Sequence, residues 1–126
     1  MESSNDASRR GKYKLAAFLL HQATERLYQC LFLVRTLYTP KTHNLNRLRA
    51  LAEDMEPSLK QVWPNSTREE KRAYARLREA YIKARYSREY SISEAELEWL
   101  GSRVQLLKTL VERACLVRLE TLEKAA

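Results

Sequence analysis

The stretch 94–123, EAELEWLGSRVQLLKTLVERACLVRLETLE, decides the fold class of this chain. Leu97, Leu100, Val104, Leu107, Val111 and Ala114 recur at three- and four-residue spacing, the period of one face of an α-helix. Ser93 followed by Glu96 supplies a capping box at its head. Trp99, Leu106, Leu110 and Val117 make a second stripe, rotated by roughly 110° on ideal geometry. One stripe can cover the core of its own bundle, and the other is expected to serve a homodimer.

Upstream segments carry the same period. Ser66 with Glu69, or Thr67 with Glu70, caps a helix that the pattern continues to about Ser87. With Tyr74 as reference, Leu77, Arg78, Tyr81, Ala84 and Arg85 fall on one side of it. A shorter helix begins near Asn44, a good N-cap, and carries Leu45, Leu48, Leu51, Ala52 and Met55. Pro57 opens a short helical turn over 57–62, and Trp63-Pro64-Asn65 ends it. The first helix is expected from about Arg9 to Tyr38, capped by Ser8, with residues 1–7 as a disordered lead and 8–126 as one domain. Its main stripe is Ala16, Leu20, Ala23, Leu27, Leu31, Val34 and Tyr38. On the opposite side lie Phe18, Gln22, Glu25, Gln29 and Phe32, a mixture that suggests a cleft or a second chain. With 2 Gly and 3 Pro in 126 residues and many Leu, Ala, Glu, Lys and Arg, the fold class is all-α: an up-and-down bundle of four long helices plus a short helical turn.

The formal charge is +7 and the isoelectric point about 9.6, which favours anionic partners. Metal chemistry is not expected, because His21 and His43 are the only histidines and have no ligand spacing. Gly11 and Gly101 alone cannot build a phosphate loop. Cys30 and Cys115 sit in separate helical patterns and read as buried, reduced thiols. The start has no apolar signal core, and the run around Leu31–Val34 is too short to span a bilayer, so the expected location is cytoplasmic.

The candidate site is the tyrosine-interleaved basic segment after residue 68. Arginine forks match phosphate oxygens, and tyrosine rings can stack on bases. Arg85 and Arg78 share the inward stripe with tyrosines and would engage phosphates. Tyr86 and Tyr90 would line the pocket. Gln22 and Glu25 of the first helix would orient Arg85 or contact the sugar or base. No catalytic residue, metal or cofactor is assigned.

The fragments 18–25 (FLLHQATE), 41–45 (KTHNL) and 80–86 (AYIKARY), in this order and separation, resemble the HEPN domain (higher eukaryotes and prokaryotes nucleotide-binding) over about Lys12 to Glu120. The likeness is nearest to the branch that accompanies minimal nucleotidyltransferases and ends the large chaperone-like protein sacsin. It implies a helical bundle, usually dimeric, with a polar cleft near the dimer axis. Many members are ribonucleases, some of them toxins of toxin–antitoxin pairs, with an arginine followed after about four to six residues by a histidine. Arg85 matches the arginine, but Tyr90 stands where the histidine would be and no histidine follows. The resemblance therefore implies a non-catalytic dimer that binds a nucleotide or other polyanion, with a minimal nucleotidyltransferase chain or domain as its partner. The alternatives are a ligand-free structural module of toxin–antitoxin type, and a metal-independent ribonuclease using Arg85 and Tyr90.

Overall fold

The computed structural model describes residues 2–83 and 88–125, with side chains from Arg9 onward. Helix α1 spans Glu2–Thr36, α2 Leu45–Met55, α3 Arg68–Glu79 and α4 Glu94–Ala125, with a 3-10 helix over Pro57–Gln61. Among the described residues there is no strand. The two long helices, α1 and α4, form the largest packing surface and run side by side in the same direction. Tyr13 reaches Glu94 near one end, and Cys30 meets Cys115 further along.

The core stripe of α1 is Ala17, His21, Thr24, Tyr28 and Leu31, all fully buried. It lies between the two faces expected from sequence, roughly 90° from each. Leu20, Ala23 and Leu27 flank it and are half-buried, while Phe32 and Glu25 flank it on the other side and are buried. The polar identities of His21 and Thr24 concealed this centre. Thr24 satisfies its hydroxyl inside the helix by donating to the Leu20 carbonyl at 2.7 Å.

Leu45, Leu48 and Ala52 of α2, Leu59 and Val62 around the 3-10 helix, Leu77 and Ala80, and Leu100, Leu107 and Val111 of α4 complete the core. Each fully buried leucine contributes roughly 1.5–3 kcal/mol. Trp63 Nε1 donates to Tyr28 Oη at 2.8 Å, pairing the two polar tips inside this apolar volume. Asn44 caps α2 by accepting from Arg47 N, and Thr67 with Glu70 forms the capping box of α3. Ser93 and Glu96 exchange the same pair of bonds before α4.

Four boundaries and faces differ from the sequence expectation. Helix α1 begins at Glu2, because the segment 1–10 holds neither glycine nor proline to stop a helix propagating backward. At its other end Leu37 turns to φ 61°, its N–H still bonded to Leu33 O, and so terminates α1 before Tyr38. Helix α3 stops at Glu79, where the N–H groups of Ala80 and Ile82 bond three residues back and tighten the chain; the expected end near Ser87 lies outside the described residues. The second stripe of α4 largely serves its own bundle: Leu110 is buried and Trp99 and Leu106 pack against the core, whereas Val117 is exposed. Cys30 is exposed, and only Cys115 is half-buried, its thiol pushed up to about 11 by burial and then by its neighbour Cys30.

Candidate functional site

The site is assembled from α1, the linker before α2 and the turn after α3. Glu25 is buried on α1, held at the edge of the core stripe. His43 lies in the linker, fixed because Thr42 Oγ1 accepts Asn44 N and Asn44 Oδ1 accepts Arg47 N. Its Nδ1 meets Glu25 Oε1 at 2.6 Å. A carboxylate can only accept there, so Nδ1 carries a proton and Nε2 is turned away from the pair. Gln29 Nε2 also donates to Glu25 Oε1, at 3.4 Å. The His43 side chain keeps 61% of its surface exposed while that of Glu25 keeps 9%, so one partner is locked and the other faces solvent.

Tyr81 links this pair to the interior. His43 stacks on its ring at 4.7 Å between centroids and 14° between planes, and His21 stacks on it at 5.4 Å and 29°. His21 Nδ1 is 3.8 Å from Glu25 Oε2, and neither ring nitrogen of His21 has a hydrogen-bond partner among the described residues. Burial lowers the pKa of His21; Glu25 opposes that shift and His43 adds to it. Burial therefore disfavours the charged form of the His21 imidazole.

Two cavities meet at the His43–Tyr81 wall. One, of about 250 Å³, is bounded by Phe18, Gln22, Glu25, Arg26 and Gln29. The other, of about 520 Å³, is bounded by Asn44, Asn46, Arg78, Glu79, Ile82 and Lys83. The first offers the Gln22 and Gln29 amides, the Glu25 carboxylate and the Arg26 guanidinium; the second offers Arg78 and Lys83 as cations, with Glu79 beside Lys83 at 3.6 Å.

Of the residues expected from sequence, Gln22 and Glu25 come together in the smaller cavity, and Arg78 lines the larger one. Arg78 is exposed and so lies off the inward side expected for it; the buried residues of α3 are Ala73 and Leu77, the latter a member of that stripe. Tyr90 does not join them. It is 3% exposed, its hydroxyl donates to the Arg76 carbonyl at 2.7 Å, and burial pushes its pKa up to about 12. A buried hydroxyl that already donates to a backbone carbonyl does not have the solvent-facing position a general base needs. Arg85 and Tyr86 lie outside the described residues. Of the other arginines in that segment, Arg72 pairs with Glu96 at 3.2 Å and Arg76 with Glu79 at 2.9 Å. Sequence reasoning set His21 and His43 aside for want of metal spacing, and among the described residues no cluster suited to a metal occurs. The overlooked signal was that both histidines and Glu25 sit in two of the fragments that carried the resemblance.

The cleft lies between the first helix and the segments flanking α2 and α3. The HEPN domain model matches residues 1–114 of the 126, and the chain belongs to the HEPN domain family. A search of curated proteins finds no match. No helix among the described residues is long and apolar enough to cross a membrane.

Proposed function

We propose that this chain is a non-catalytic HEPN dimer that binds a nucleotide or another polyanion at the His43–Tyr81 wall. The observation that supports it is the meeting of two chemically distinct cavities there. Gln22 and Gln29 offer amide groups suited to a base or ribose, and Arg78 and Lys83 offer cations suited to phosphate. The net charge of +7 supplies the long-range attraction. Arg85 and Tyr86 lie outside the described residues; in this reading Arg85 engages phosphate and Tyr86 lines the pocket, while Tyr90 contributes to stability. The exposed leucines of α1, Leu15, Leu19 and Leu33, provide an apolar face for a second copy. A minimal nucleotidyltransferase chain or domain is the expected partner, tested by co-purification.

The deciding experiment titrates labelled ATP, GTP and a short oligonucleotide against wild type, Arg78→Ala and Arg85→Ala at two salt concentrations. The expected result is binding that weakens with salt and falls about tenfold or more in each variant, since a charge-assisted hydrogen bond contributes roughly 1.5–3 kcal/mol. Equal, salt-insensitive binding by all three proteins would reject the site.

A further inference from the structure

We infer that His43 is itself a ligand contact, and that the site takes up a proton on the His43 imidazole when it binds a phosphate group. The inference rests on the anion-binding reading above and adds to it a specific residue and a pH control. His43 Nδ1 is committed to Glu25, which leaves Nε2 as the polar tip of an exposed ring on the wall shared by both cavities. A phosphate oxygen can only accept a hydrogen bond. To donate to it from Nε2 while Nδ1 donates to Glu25, the ring must carry both protons. The imidazolium is then sandwiched between two anionic acceptors, a carboxylate behind and a phosphate in front, and neutral imidazole cannot fill both roles. Glu25 acts through His43 as a positioning residue: buried and braced by Gln29, it fixes the ring plane and stabilises its charge.

Among the described residues, the charged and titratable groups around His43 come from α1, α3 and the segment after it. Glu25, His21 and Arg26 belong to α1, Arg78 and Glu79 to α3, and Tyr81 and Lys83 to the segment after it. His21 is the competing source of a pH effect. It is buried, however, and lines neither cavity, so its protonation reports on the fold and not on the ligand. The lysine and arginines keep their charge across the neutral range and contribute attraction without slope.

The test uses a short oligothymidylate as probe, because its phosphodiesters and bases do not titrate between about pH 6 and 8. Affinity is measured across that range, and proton uptake by calorimetry in two buffers of different ionisation enthalpy. Wild type is expected to lose about tenfold or more in affinity from the acid to the alkaline end, with a fraction of a proton taken up per site. His43→Gln should bind with less than about twofold change over the range and no proton uptake, because the amide donates without titrating. Glu25→Gln should weaken binding across the range, because the ring loses the buried carboxylate that orients it, and Glu25→Asp should restore part of the affinity. Circular dichroism confirms that each variant is folded. Measurable binding with a flat pH profile in wild type, or a slope that survives His43→Gln, overturns the inference and leaves the anion site standing. Absence of oligothymidylate, ATP and GTP binding at any pH and low salt rejects both.

Discussion

Replacing His21 with leucine should make this protein more stable, and more so in acid. The imidazole is fully buried, and neither nitrogen has a hydrogen-bond partner among the described residues. A buried unsatisfied polar group costs about 1–3 kcal/mol, and neutral histidine brings one donor and one acceptor. Leucine has similar bulk, so repacking costs under roughly 1.5 kcal/mol, and loss of the Tyr81 stack costs about 0.5–1.5 kcal/mol. Taking the low end for each polar group and about 1 kcal/mol for the losses together leaves a net stabilisation of about 1 kcal/mol near pH 8. Burial lowers the folded-state pKa of His21 below its ordinary 6.5. As pH falls through that value, the unfolded chain gains a proton that the folded chain resists, and wild type loses up to about 1.4 kcal/mol per pH unit. The gap should therefore widen to about 2 kcal/mol near pH 5.5. Urea unfolding of both proteins at the two pH values, followed by circular dichroism, measures it. A variant less stable than wild type at pH 8, or a gap that does not change with pH, would refute the reasoning.

Tyr90→Phe should lower stability by about 1 kcal/mol, through loss of its bond to the Arg76 carbonyl, and leave oligothymidylate affinity unchanged; weaker binding at unaltered fold would return Tyr90 to the site. Tyr28→Phe strands the buried Trp63 N–H and should cost about 1–3 kcal/mol in chemical denaturation. The double variant with Trp63→Phe should lose less than the sum of the two single changes, because the second substitution removes the stranded donor. Thr67→Ala removes the side-chain acceptor that caps α3 and should cost about 1 kcal/mol, read as a lower thermal midpoint.

The helical character of the chain was legible from periodicity and caps, because both are local. Asn44, Thr67 and Ser93 bond to backbone groups within three residues, so their sequence signatures carried through to the structure. The faces were less legible. The apolar stripe and the mixed face drawn opposite it straddled the true core line of α1, since His21 and Thr24 occupy its centre. The helix proposed to run to Ser87 assumed a constant turn angle past Glu79, where the backbone tightens.

What the sequence by itself determined is the class of the molecule: an all-helical, basic chain whose ordered fragments resemble the HEPN family. Those properties depend on residue type and on spacing within one element, where the helix period alone sets the geometry. Only the tertiary structure decided which groups share a site. Glu25 and His43 are eighteen residues apart, and Tyr81 is a further thirty-eight along the chain. Their meeting depends on how the linker after α1 folds back and on where α3 stops. Both are set by packing of the whole core, which no local pattern encodes.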